Sequence, residues 1–168
     1  KALSKKSLED LNKKRRIDWI KDMEWPGQLV QVIDQVVWTQ GVEGGLLNAN
    51  LPDFLKKLDG ELAEVVDLVR TNIPSLLSIT LSGLIVISVH NRDIVERLIK
   101  ENIEKSTDFE WKAQMRYYYN NDDEEEGKKK RKKEEICPIT VSMITTNLNY
   151  GFEYLGNITR LVITPLTD

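Results

Sequence analysis

The chain has 168 residues, with 24 Lys plus Arg against 27 Asp plus Glu; the formal net charge is −3 and the sequence pI about 5.4. That balance gives no global attraction to nucleic acid or to an anionic membrane, and the length suffices for one domain burying about two-thirds of its unfolded surface. A single cysteine, Cys137, excludes an internal disulfide framework and fits a reducing compartment.

The opening, Lys1 to Ser7, lacks the apolar core of a signal peptide. From Ser7 to about Glu24 the spacing predicts one helix, with Leu8, Leu11, Arg15, Trp19 and Ile20 on a common face and Lys13 to Arg16 as a solvated basic belt. Trp25-Pro26-Gly27 breaks it, because Pro26 disfavours helical geometry at the residue before it. A second helix is predicted from Gln28 to about Val42, its stripe built on Val30, Ile33, Val37 and Trp38. Trp19, Trp25 and Trp38 read as packing residues.

Gly41, Gly44 and Gly45 are expected to loosen the chain before Pro52, which suits the first turn of a helix with Asp53 at its positive end. Phe54, Leu55, Leu58, Leu62, Val65, Val66 and Val69 recur every three to four residues, the clearest amphipathic helix, ended by Pro74. Leu76 to Val89 is apolar; its β-branched content suggests a strand and its length a buried helix. Its core, Ile79 to Val89, is interrupted by Thr80, Ser82, Gly83 and Ser88 and is too short to span a bilayer, so a soluble, intracellular chain is expected. His90, the one histidine, has no second histidine or cysteine pair at ligand spacing, which argues against a metal site and for a polar junction between helices, with Asn91 capping the next.

Thr107-Asp108-Phe109-Glu110 has the form of a capping box opening a short helix that carries Trp111 and Met115. Tyr117 to Tyr119 begins a strand, and Ile136 to Met143 returns, with Ile139, Val141 and Met143 alternating against Thr140 and Ser142. Residues 120–135 between them have no apolar side chain to offset ordering, so a mobile, solvated hairpin tip is expected. Tyr150, Phe152 and Tyr154 alternate as one aromatic strand face, Gly156-Asn157 turns, and Leu161 to Ile163 is extended up to Pro165. Asn157-Ile158-Thr159 matches a glycosylation acceptor, an accidental match in a reducing compartment. The phrase breaks off at Asp168, which predicts an excerpt from something longer.

Tyr150-Gly-Phe-Glu-Tyr-Leu-Gly-Asn157 followed by Arg160-Leu-Val-Ile-Thr-Pro-Leu-Thr-Asp168 closely resembles the dynein heavy chain where its linker domain joins the first AAA+ module. Three further stretches resemble linker phrases: Ile17-Asp-Trp-Ile20 with Trp25-Pro-Gly-Gln-Leu-Val30 and Trp38-Thr-Gln-Gly-Val42, then Val89-His-Asn-Arg-Asp93, and Asp108-Phe-Glu-Trp-Lys-Ala-Gln-Met-Arg-Tyr-Tyr-Tyr119. Ser88 stands where that family usually has an acidic residue. The resemblance tips Leu76 to Val89 towards helix.

It implies a mostly α fold, a helical bundle with a C-terminal β-hairpin: residues 1–149 as the C-terminal part of the linker, and 150–168 as the junction with the ATPase ring. It implies an ATP-driven, minus-end-directed microtubule motor of axonemal type, in cytoplasm or cytoskeleton, in a cilium or flagellum. The partners would be the ring of the same heavy chain, microtubules, and other dynein chains of the arm, with neither nucleic acid nor membrane. Leu161, Val162, Thr164, Pro165 and Leu166 would line the adenine pocket, with ATP or ADP and Mg held mainly by residues beyond Asp168. No Gly-x-x-x-x-Gly-Lys-[Ser/Thr] loop occurs, so no ATP hydrolysis is expected of this segment alone. Trp25–Gly27 and Ala49–Pro52 are the candidate hinges. The alternative is an autonomous helical interaction module with the charged tip as its contact; it should present a closed surface, whereas a lever segment should leave an apolar face open.

Overall fold

The computed structural model describes residues 2–22, 24–120 and 138–152. Among these residues the chain forms α1 (Ala2–Leu11), α2 (Arg16–Lys21), α3 (Gly27–Leu47), α4 (Leu51–Val69), α5 (Ser75–Lys100) and α6 (Phe109–Lys112), then β1 (Arg116–Tyr119), β2 (Ile139–Met143) and β3 (Thr146–Asn149). The mostly helical expectation with a C-terminal hairpin therefore holds.

α3 is the spine. Pro26, at φ −55° and ψ 140°, sets its first turn. Its N-terminal half packs Leu29, Val30, Ile33 and Val36 into one core with Trp19, Trp25, Val65, Leu81, Leu84 and Ile139. Its C-terminal half packs Trp38, Val42 and Leu46 into a second core with Leu51, Val95, Leu98 and Trp111. Helices α1, α4 and α5 and strand β1 all lie against it, as a helix apolar on most of its circumference requires.

The structure corrects several boundaries. The expected helix from Ser7 to Glu24 is two helices, α1 and α2, separated at Arg15, which is extended (φ −66°, ψ 144°). The break lets Ile17, Trp19 and Ile20 turn inward while Leu11 stays in the core; Arg15 leaves the predicted face and pairs with Glu64. Glycines 41, 44 and 45 do not end α3, which continues to Leu47. A methyl group at Gly41 would lie 2.4 Å from the Phe54 ring, and one at Gly45 2.9 Å from Leu51, so both glycines let α4 approach. The real stop is a Schellman motif: Asn50 N–H donates to Gly45 O at 2.8 Å and Ala49 N–H to Leu46 O at 3.4 Å, with Ala49 left-handed at φ 52°.

α4 ends at Val69, before Pro74, which instead precedes α5. α5 runs unbroken through His90, so there is no junction there; His90 is exposed, and Asn91 is buried against Gln35 rather than capping a helix. α5 has 26 residues, and an 18-residue window of it has a mean hydropathy of 1.2, so by length and composition alone the helix could cross a membrane, although the apolar run from Ile79 to Val89 is itself too short. One face of it packs on α4 and α3. The turn of α6 is preceded by Asp108, not Thr107, and the expected side-chain cap bond is absent; Asp108 instead accepts from Lys105 N–H at 3.2 Å.

The sheet has the order β1-β2-β3, antiparallel throughout, with Tyr119 opposite Ile139 and Met143 opposite Thr146. The third strand was not expected. Alternation along β2 is only partial: Ile139 and Ser142 are buried while Met143 is exposed. Tyr150 and Phe152 do share a ring contact, 4.8 Å between centroids, but beyond the last strand and with Phe152 left-handed. Tyr154 lies outside the described residues, as does the charged run from 121 to 135.

Candidate functional site: a polar waist between two cores

Between the two cores α3 carries three buried polar residues, Asp34, Gln35 and Thr39. Each binds a different neighbour. Arg16 of α2 forks onto Asp34, Nε to Oδ1 at 2.5 Å and Nη2 to Oδ2 at 2.9 Å, and Nη2 also donates to Ser88 Oγ of α5 at 2.9 Å. Gln35 Nε2 donates to Asn91 Oδ1 at 3.4 Å, which ties α3 to α5 a second time. Thr39 Oγ1 accepts the Tyr117 N–H at 3.0 Å and donates to Gln35 O at 2.9 Å, so the open edge of β1 is closed by α3. One turn further, Glu43 accepts from Tyr118 Oη at 2.6 Å and from Trp111 Nε1 at 3.4 Å. Trp111 in turn meets Trp38 edge-on, 5.4 Å between centroids. The waist therefore joins α2, α3, α5, α6 and β1 by directional bonds where apolar packing changes from one core to the other.

Arg16 and Asp34 are 12% and 6% exposed. Burial pulls the Arg16 pKa down, but the charge of Asp34 and its hydrogen bonds, with Glu61 and Glu64 behind them, reverse this and the net shift is upward. A forked, desolvated pair of this kind fixes relative orientation more than it adds stability. Glu61 of α4, 4.0 Å from Arg16 Nε, has its pKa raised by burial, with Arg16 and Lys57 only partly opposing the rise. Burial, then the hydrogen bond to Glu43, pushes the Tyr118 hydroxyl up to about 12.

The expected basic belt is thus divided. Lys14 binds Asp22 and Asp10 at the surface, Arg15 binds Glu64, and Arg16 is interior. The signal available in the sequence was Asp34, a carboxylate inside the apolar run from Val30 to Trp38, which requires a cation from elsewhere. Trp19, Trp25 and Trp38 are all core residues, as expected. Leu161, Val162, Thr164, Pro165 and Leu166 lie outside the described residues. Among the described residues no group of three or more His, Cys, Asp and Glu side chains is placed to hold a metal ion.

No family model matches the chain. Among curated proteins it is similar to dynein axonemal heavy chain 3 of Mus musculus, 42% identical over 150 residues, covering 89% of this chain and 3% of that protein. Similarity to dynein axonemal heavy chain 3 of Homo sapiens is 40% over 161 residues, covering 96% of this chain and 4% of that protein. With dynein axonemal heavy chain 12 of Homo sapiens it is 40% over 157 residues, 91% of this chain and 4% of that protein. The chain thus spans 3 to 4% of the length of the relatives it matches.

Proposed function

The chain belongs to the axonemal dynein heavy chains, and from that premise we propose that it is the C-terminal part of a linker, the lever through which an ATPase ring moves its cargo along a microtubule. Its location is cytoskeletal, in the axoneme of a cilium or flagellum. A lever needs stiffness across its joints, and the waist supplies it: the fork from Arg16 to Asp34 and Ser88, the Gln35–Asn91 bond and the Thr39–Tyr117 bond restrain sliding where the two cores meet.

The observation that carries the reading is an open face on α5. Leu76, Ile79, Val86 and Val89 lie at helical spacing and are exposed, Ile79 and Val86 to 71% each. A free-standing interaction module would close such a stripe; a segment of a larger body presents it to the rest of that body. The ring of the same heavy chain, microtubules and the other chains of the arm are the partners this reading implies.

Leu161, Val162, Thr164, Pro165 and Leu166 are proposed to contribute one wall of the adenine pocket of the first AAA+ module. The residue types fit a flat heterocycle: four of the five side chains are apolar, and the sequence contains no Gly-x-x-x-x-Gly-Lys-[Ser/Thr] loop to cradle phosphates. ATP or ADP with Mg would supply the phosphoryl chemistry on residues elsewhere in the heavy chain. Photolabelling the intact heavy chain with 8-azido-ATP tests this: label within 161–166 is expected, and label confined to other segments overturns the assignment.

A further inference from the structure

The sheet is closed at one edge and open at the other. Along β1 the outward Tyr117 N–H donates to Thr39 Oγ1 of α3 at 3.0 Å. At the far edge Tyr150 N–H donates to Ile139 O at 2.9 Å, continuing the register that sets Asn149 opposite Thr140 and Leu148 opposite Val141. Antiparallel pairs alternate, so Leu148 bonds back to β2 while Asn147 and Asn149 turn their N–H and C=O groups outward. Both residues are exposed, and among the described residues no strand lies beyond β3.

Two features mark this edge as one to be paired. β3 reads Thr146-Asn-Leu-Asn149, with none of the lysine, proline or other charge that blunts a free edge. The apolar row Tyr117, Val141, Leu148 crosses the three strands from the first core and ends on Leu148, 65% exposed. The chain itself carries a strand-forming run within reach. The described residues end at Phe152, left-handed at φ 52°. Gly156-Asn157 then suits a turn, and four of the six residues from Ile158 to Ile163 are β-branched. A connector of seven residues, Gly151 to Asn157, presents that run at an effective concentration of about millimolar, ahead of any separate chain.

We propose that residues 158–163 add to β3 as a fourth, antiparallel strand. Their backbone meets the outward groups of Asn147 and Asn149. Leu161 and Ile163 share a face with Leu148 and extend the apolar row, while Arg160 and Val162 join Asn147 and Asn149 on the other face. The four residues of β3 span about 13 Å at about 3.3 Å each, which a six-residue strand covers. The pairing is made by backbone groups, so it holds whether or not side chains of 161–166 reach an adenine. Its consequence is mechanical: the segment is tied to the sheet that rests on α3, and a displacement of one is carried to the other.

The test is disulfide trapping in the intact heavy chain. Asn149→Cys is combined in turn with Arg160→Cys, Leu161→Cys, Val162→Cys and Ile163→Cys, and the linked peptides are identified by mass spectrometry after mild oxidation. Residues opposite each other on paired strands lie within disulfide reach. The expected result alternates: a link forms at Arg160→Cys or Val162→Cys, and several-fold more slowly at Leu161→Cys and Ile163→Cys. No link at any position overturns the proposal, and so do equal rates at all four, which describe a segment that is near but unpaired. Hydrogen exchange of the unsubstituted heavy chain provides a check free of any variant. The Asn147 and Asn149 amides should exchange as slowly as that of Leu148. Fast exchange at both, with Leu148 protected, would show the edge to be empty and sink the proposal; protection without the alternating links would give the edge to another chain and sink it equally.

Discussion

Arg16 and Asp34, on different helices, meet as a buried fork, two hydrogen bonds of 2.5 and 2.9 Å between one guanidinium and one carboxylate. Removing one partner strands the other's charge in the interior. Arg16→Ala is expected to lower unfolding free energy by about 3–5 kcal/mol, whereas Arg16→Leu combined with Asp34→Leu should cost far less, because no charge then remains buried. Urea denaturation of the two variants decides it. Equal losses would mean that the pair does not act as a desolvated unit.

Two glycines of α3 should respond to alanine with opposite signs. At Gly41 the new methyl group would press on Phe54 at 2.4 Å, and the overpacking cost of about 1–3 kcal/mol exceeds the gain in helix propensity. At Gly44 nothing lies within 4 Å, so Gly44→Ala should stabilise by about 0.5–1 kcal/mol. Thermal midpoints measure both; a stabilising Gly41→Ala would show that α4 does not rest against α3 as described.

Ala49 closes α3 in a left-handed conformation, at φ 52°. Ala49→Gly removes the contact between Cβ and the carbonyl oxygen and is expected to raise stability by up to about 1 kcal/mol, part of it offset by a freer unfolded chain. A clear loss of stability would contradict the Schellman geometry.

The Glu61 carboxyl, raised by burial, takes a proton more readily in the native state than in the unfolded one. Its ionised form therefore costs stability at neutral pH, and the cost fades as pH falls below both pKa values. Glu61→Gln should be the more stable protein at pH 7, and its advantage should shrink as pH falls through the carboxylate range, about 4 and upward. Denaturant midpoints at several pH values test the trend; an advantage that grows in acid would reverse the sign of the shift.

What was legible in the sequence followed from local rules. Pro26 and Pro52 mark helix starts because they fix φ, and the spacing of Phe54 to Val69 marks a helix because one face must be buried. The hairpin was legible because Tyr117–Tyr119 and Ile139–Met143 are strand-forming runs around an apolar-free insertion. What escaped depends on partners distant in the chain. Gly41 reads as a break until Phe54 is placed beside it, and Arg16 reads as surface until Asp34 is found 18 residues on. The continuity of α5 through His90 is likewise decided by tertiary packing: Asn91, which would suit a cap, is held instead by Gln35. β3, exposed along its whole length, carried no buried face to announce it.

The most direct test of the lever assignment is the ratio of microtubule gliding velocity to ATP turnover in the intact heavy chain carrying Ile79→Asp and Val86→Asp. Both side chains are solvent-facing in this segment, so its own stability should change by no more than about 0.5 kcal/mol. The account predicts that turnover persists while velocity falls several-fold, because the open face of α5 no longer seats on the rest of the motor. Velocity and turnover both unchanged, with the double substitution in place, would contradict it.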